Sequence, residues 1–282
     1  MEEHEFRPLE HSDTELEEVS GLLRRVFPHA PHLTPAYLRW LYVENPDGRA
    51  LGYNAYHEGR LVGHCAGQPL TARVEGETLR GILLVNAAVE PGHVRRNLTR
   101  RTTDPMFDQA ARAGYAFSIA VGNANSTLPL LTRFVMVGPL EARVGLGLPR
   151  RRGTRTAPSW ERVWSGDAIR WRLANPERPY TVRNRAGRAA VTAPAGRAGF
   201  GAVLYDGADG WGLADTGGRP AGPLRVWLGR DPAVEWGRSP FVPLPMKLRP
   251  SPLNLVFKDL TGRGLHPDAA RVVFRAIDFD AW

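Results

Sequence analysis

The sequence predicts an α/β (α+β) fold in which an antiparallel meander is flanked by helices and a second, smaller meander follows. Three observations carry this. Ser12 to Glu15 matches a Ser-x-x-Glu capping box ahead of a helically spaced apolar run, Leu16, Val19, Leu22, Leu23 and Val26. Glu58-Gly59 and Glu75-Gly76-Glu77 separate strand-like runs. Beyond a basic, proline-bounded stretch at 149–158, short strand-like runs resume.

In chain order, residues 6–9 suit a first strand, and the capping box starts the first helix. Thr34-Pro35 starts a second, with Leu38, Trp40, Leu41 and Tyr42 inside it, and Asn45-Pro46-Asp47-Gly48 ends it in a turn. Strands follow at 51–57, 60–69, 70–74 and 78–89. A helix is expected over 103–113, closed by Gly114, with Pro105 in its first turn or kinking it. Residues 115–121 read as a buried strand, 122–126 as a turn, 128–134 as a helix and 135–137 as a further apolar run; Gly145-Leu146-Gly147 reads as a turn.

Composition excludes several classes. Cys65 is the single cysteine, so an internal disulfide and a cysteine-based zinc site are both ruled out, and a small buried side chain is the expectation for it. His29 and His32 stand in a proline-rich loop without matching ligands, and no metal site is expected. No apolar run approaches the ~20 residues a membrane helix needs. The acidic start, without an apolar leader, points to the cytoplasm. The net charge of +8 permits anionic partners, tRNA included, but arginine is used almost throughout as the basic residue and only clustering makes a phosphate site.

One cluster stands out. The apolar run at 82–89 meets Pro91 and then Arg95, Arg96, Arg100 and Arg101 around Asn97, just before a helical stretch. Unpaired amides at a helix start, with the helix dipole, favour an anion there. The order of elements over residues 5–145 resembles the GNAT (GCN5-related N-acetyltransferase) family. In that family a loop V-x-P-x-x-(R/Q)-x-x-G-x-(G/A) wraps the acetyl-CoA pyrophosphate. Here Val89 and Pro91 fit, whereas Val94 replaces Arg or Gln, and Asn97 and Thr99 replace the glycines. Glycines let amides approach phosphate closely, so the loop either binds CoA in a less usual way or has lost it. Asn tolerates the left-handed conformation and is the milder loss. Gly122-Asn123-Ala124-Asn125-Ser126 resembles the N-x-N-S turn of a bacterial group within the family, and Trp40 to Pro46 its W-x-x-x-x-N-P pattern.

The resemblance implies a mixed, mostly antiparallel sheet and acetyl-CoA (or another acyl-CoA) as cofactor. It assigns cofactor binding to Ala88, Val89, Arg95, Arg96, Asn97, Leu98, Thr99, Arg100, Asn123, Asn125 and Ser126. Transfer to an amine needs a base to take the ammonium proton. Glu90 and His93 are candidates, Asn86 is a candidate to orient the substrate, and Thr127 stands where the group often has a tyrosine acid.

Residues 1–148 read as this acyltransferase domain, 149–158 as a linker and 159–282 as a degenerate second GNAT-like domain. Ile169 to Pro176 echoes Leu38 to Pro46, one residue shorter, and no second anion loop follows. Residues 272–280 alternate like a closing strand. Some tandem members of the family use their terminal carboxylate as base, here that of Trp282, with Asp278 and Asp280 nearby; a terminal edge strand with solvated acids is the plainer expectation. Acetyl transfer to the primary amine of a small metabolite is the leading reading. A non-catalytic binding or scaffold module and an aminoacyl-tRNA-dependent transferase are the alternatives.

Overall fold

The computed structural model describes residues 4–153, 156–185, 187–196, 199–208, 210–216 and 222–279, apart from the side chains of Arg95, Arg96 and Arg185. In chain order the elements are β1 (Glu5–Pro8), α1 (Asp13–Val26), α2 (Pro35–Tyr42), β2 (Leu51–His57), β3 (Arg60–Val74), β4 (Glu77–Val89), α3 (Leu98–Arg112), β5 (Phe117–Gly122), α4 (Thr127–Leu131), β6 (Val135–Pro139) and β7 (Glu141–Leu146). The second half adds β8 (Trp160–Arg162), α5 (Gly166–Leu173), β9 (Thr181–Arg185), β10 (Arg188–Pro194), β11 (Phe200–Ala208), β12 (Leu224–Arg230), β13 (Phe241–Pro243), β14 (Asn254–Asp259), β15 (Val272–Arg275) and α6 (Ala276–Phe279).

The capping box forms. Ser12 accepts from the Glu15 amide at 3.2 Å, while the Glu15 carboxylate reaches back past the cap to the amides of Glu10 and His11 at 2.8 and 2.7 Å. Thr34 caps α2, with Pro35 at its first position. Leu16, Leu22, Leu23, Leu38 and Tyr42 then bury α1 and α2 on one face of the sheet, each contributing about 2 kcal/mol on the usual area scale. Met106, Phe107 and Ala110 of α3 pack on the other face, against Cys65, Ile82 and Ala120.

β1 to β4 form the expected antiparallel meander, and β5 joins β4 in parallel. The expected break after residue 69 is absent. Along β3 the pairing with β2 stops at Gly67 and that with β8 starts at Ala72, so Pro69 falls where β3 has a strand on one side only and its missing N–H removes no ladder bond. Three other expectations are corrected. α3 begins at Leu98 and carries Pro105 in its interior; the hydroxyls of Thr102 and Thr103 bond carbonyls one turn back. Gly145 lies within β7 rather than in a turn, paired with Arg225 and Phe241. The closing strand expected over 272–280 is not formed across the described residues 272–279, and Asp280 lies outside them: β15 stops at Arg275, lies inside the sheet between β8 and β12, and passes into α6.

The two halves interlock. β7, from the first half, pairs with β12 and β13, and β14, from the second, inserts between β5 and β6. The 149–158 stretch is fastened as well, since Arg152 N donates to the Ala233 carbonyl and Glu235 N to the Arg150 carbonyl. The echoed motifs meet face to face. Trp40 and Trp171 stack at 4.8 Å, and each indole N–H donates to the other's carbonyl at 2.9 Å. Asn45 and Asn175 each accept from the amide two residues on, at 3.1 and 2.9 Å. This pseudo-twofold relation extends to the strands, for β11 and β12 are parallel as β4 and β5 are.

Candidate functional site

β4 and β5 pair from Gly81/Phe117 to Leu84/Ala120 and then part. Gly81 permits the start of that pairing, because a Cβ there would stand 2.3 Å from the Phe117 ring. Beyond Leu84, no described strand pairs with β4 on the β5 side, so residues 85–89 leave a backbone edge facing an opening. Asn86 lies at its start with φ +53°, in a bulge where two β4 residues, 86 and 87, stand opposite Cys65 alone.

At the end of β4, Glu90 precedes a 3-10 turn over Pro91–Arg96. Its carboxylate Oε1 is held by Arg25 Nε and Arg60 Nη2, each at 2.6 Å. Asn97 has φ +56°, the left-handed conformation a glycine would supply. The first bond of α3 runs from the Arg101 amide to the Asn97 carbonyl, so the amides of Leu98, Thr99 and Arg100 precede it and point out of the helix start. Leu98 is buried with Ala55 and Val62, Thr99 is exposed, and Arg100 pairs with Asp104 at 3.2 Å. Ala88 belongs to the α1/α2 core and Val89 packs beside Leu98. His93 turns toward His4 (3.1 Å between ring nitrogens) and His57.

The turn after β5 is held by its own side chains and by the segment leading into β14, where Ser251 Oγ accepts from the Ala124 amide at 2.9 Å. The Asn123 Oδ1 accepts from the amides of Asn125 and Ser126 and from the Ser126 hydroxyl, at 2.9 to 3.1 Å. Thr127 Oγ1 donates to the Asn123 carbonyl and accepts from Asn254 Nδ2, which ties the turn to β14. Past the last β4/β5 pair, Asn86, Ala88 and Val89 thus continue along β4 toward the Asn97–Arg100 backbone, while the 123–126 turn follows the end of β5. Arg95 and Arg96 side chains, and Trp282 with its carboxylate, lie outside the described residues. Asp278 is not solvated: it is buried, accepts from Trp164 Nε1 (3.2 Å) and the Arg275 amide (2.6 Å), and burial pushes its carboxyl up. In the second half the corresponding opening is filled. β11 leaves β12 after Val203/Trp227, and β15 pairs with β12 from Gly229 onward.

Sequence reasoning missed a set of buried polar residues behind Asn86: Glu15, Tyr42, Asn54 and His64. The signal was available, since Asn54 and His64 interrupt apolar strands at paired positions. Burial drives the His64 imidazole down to about 3. The folded protein therefore keeps it neutral where the unfolded chain takes up a proton below about pH 6.5, and stability falls with pH by about 1.4 kcal/mol per unit in that window. Urea midpoints at about pH 7 and pH 5 should show a loss of about 2 kcal/mol from this group, absent from the difference measured for His64→Gln. An equal loss in the variant would assign the slope to other groups.

Among the described residues no His, Cys, Asp and Glu group is placed to hold a metal, and no helix is long and apolar enough to cross a membrane. A family model described as an acetyltransferase (GNAT) domain matches residues 5–134. Sequence comparison with curated proteins finds no match. Several solved structures are similar in fold. Eis1 from Mycobacterium abscessus shares 15% identity at a TM-score of 0.60, covering 92% of this chain and 74% of its own. A GCN5-related N-acetyltransferase from Kribbella flavida shares 14% at 0.59, covering 92% and 72%. N-myristoyltransferase from Saccharomyces cerevisiae, solved with bound myristoyl-CoA and inhibitors, shares 11% at 0.61, covering 92% and 80%.

Proposed function

Residues 5–134 are an acetyltransferase domain of the GNAT family, and from that premise we propose that the protein transfers an acyl group from acetyl-CoA, or another acyl-CoA, to the primary amine of a small, amino-acid-like acceptor. The observation that carries this reading is the parting of β4 and β5 beside a helix start whose preceding residue, Asn97, already adopts the conformation the family's glycine supplies. That fit supports the loop at the first of the two replaced glycines, position 97. It favours an enzyme over a scaffold module.

Bound acyl-CoA supplies the acyl group activated as a thioester. The chain's own part is to hold and to exchange protons. The amides of Leu98, Thr99 and Arg100 are placed to receive phosphate oxygens, with Arg95 and Arg96 adjacent in sequence to supply charge. The unpaired edge at residues 85–89 offers backbone groups to the arm that follows. Glu90, gripped by two guanidiniums, anchors the loop to α1 and β3. Proton removal from the acceptor is left to His93 or to the terminal carboxylate of Trp282.

Isothermal titration with acetyl-CoA tests the reading. Wild type should bind, and an Arg95→Ala/Arg96→Ala double variant should bind about tenfold or more weakly, since two charge-assisted contacts are removed. No heat at millimolar acetyl-CoA would overturn it. The second opening, filled by β15, should add no second site, so the stoichiometry should be one.

A further inference from the structure

Five side chains form one continuous hydrogen-bonded line from α1 to the bulge of β4. Asn54 Nδ2 donates to Glu15 Oε1 at 2.7 Å; Asn54 Oδ1 and His64 Nδ1 lie 2.7 Å apart; His64 Nε2 and the Tyr42 hydroxyl 3.0 Å; and Asn86 Nδ2 donates to the Tyr42 oxygen at 2.7 Å. Glu15 fixes the direction of every bond. A carboxylate only accepts, so Asn54 must turn its nitrogen to Glu15 and its oxygen to His64. Nδ1 of His64 then carries the proton, Nε2 takes the Tyr42 O–H, and the Tyr42 oxygen is left to accept from Asn86. Reversing Asn54 or His64 would break two bonds, and reversing Asn86 the one to Tyr42, in a place where Tyr42, Asn54 and His64 are 0%, 0% and 1% exposed.

The consequence appears at the open end. Asn86 commits its nitrogen inward, so its carboxamide oxygen is the group it presents outward. It does so where β5 has left β4, and on the α2 face, opposite the face on which α3 packs. A cofactor held at the start of α3 and an acceptor on the α2 face would meet through the opening. A fully satisfied buried polar line rigidifies its members, and one with a fixed direction orients its exposed end.

We propose that Asn86 binds the acceptor amine by accepting one of its N–H bonds, and that Glu15, Asn54, His64 and Tyr42 are positioning residues that lock the carboxamide in that orientation. This rests on the acyl-transfer reading above. The acceptor class is a primary amine, which keeps further N–H groups for release to a base after one is held.

The test uses benzylamine as the primary-amine probe, with acetyl-CoA as donor. Asn86→Ala should raise the benzylamine KM by about tenfold, the effect of one hydrogen bond to a charged donor, with the acetyl-CoA Kd unchanged. Asn86→Asp separates the roles: it keeps an acceptor for the amine but has no N–H for Tyr42. KM close to wild type in Asn86→Asp, and a raised KM in Tyr42→Phe with intact acetyl-CoA binding, are the expected results. Asn86→Asp as damaging as Asn86→Ala, or Asn86→Ala equal to wild type, overturns the proposal while the acyl-transfer reading stands. A readout independent of turnover is the Asn86 carboxamide resonance in a 15N-labelled protein, which should shift on titration with benzylamine. No shift at millimolar amine in protein that binds acetyl-CoA also overturns it, and loss of acetyl-CoA binding by wild type removes both readings together.

Discussion

Trp171→Ala should lower the unfolding free energy by about 4 kcal/mol, the usual scale for emptying a buried tryptophan site. The two indoles at the pseudo-twofold axis stack at 4.8 Å and 19°, which adds to the area they bury. Trp171 Nε1 also donates to the Trp40 carbonyl, and Arg172 lies among three rings, 4.8 Å from Trp171, 5.3 Å from Trp40 and 5.8 Å from Trp164. The alanine variant removes the stack, one hydrogen bond and one face of the cation's surroundings, while the 171 carbonyl still serves Trp40. Trp171→Phe keeps most of the area and should lose about 1 kcal/mol, the worth of the single N–H bond. Urea denaturation followed by far-ultraviolet dichroism measures both. A loss below about 1 kcal/mol for Trp171→Ala would show that the exchanged strands, and not this pair, join the halves. Because β7 and β14 are exchanged, one cooperative transition is expected in either variant.

That pair also marks what the sequence made legible. The Trp and Asn-Pro echo, the capping box and the hairpin turns are local, and each carries its own geometry. Glu58 and Gly59, for instance, both adopt the positive φ that a two-residue hairpin needs. The exchange of β7 and β14 was not legible, because an apolar run does not state which distant edge it will pair with. Pro69 misled for a related reason: whether it breaks a strand depends on a neighbour about ninety residues away, β8. At the site, the left-handed turn at Asn97 was legible from the residue type and its place before a helix, whereas the line behind Asn86 needs three strands and two helices in place before its direction exists. The ion pairs of Glu90 were not legible either, because Arg25, from α1, and Arg60, from the start of β3, reach its carboxylate only in the fold.

Asp231→Asn should destabilise the protein by about 3 kcal/mol or more at neutral pH, because it removes the buried carboxylate shared by two nearly buried guanidiniums and leaves Arg275 the more distant Glu161, at 3.4 Å. The Asp231 side chain is 0% exposed and lies between Arg151 Nη2 at 2.6 Å and Arg275 Nε at 2.9 Å, with the Ala233 amide on its other oxygen. Burial alone would push its carboxyl up, but Arg275 and Arg151 outweigh that and hold it below the usual range. A carboxyl depressed in the folded state contributes stability above its unfolded value and loses it as pH falls through the folded one. The gap between wild type and Asp231→Asn should therefore be full at neutral pH, begin to narrow as pH falls below about 4, and close only once pH falls below the depressed folded value, where the wild-type group becomes neutral. The asparagine keeps the Ala233 bond, which isolates the charge. Removing Arg151 as well, in Asp231→Asn/Arg151→Met, should recover part of the loss, because fewer cations are then stranded. Position gives the effect its local signature: this carboxylate ties the 149–158 stretch, through Arg151, to β12 and to Arg275 of β15, the strand that fills the second half's opening. Amide exchange at Val272–Arg275 should accelerate in Asp231→Asn more than exchange in β3 or β4. Uniform acceleration, or a variant within about 1 kcal/mol of wild type, would mean that β15 is held in the opening by its apolar face, Val272 and Phe274, and that the ion triad is incidental.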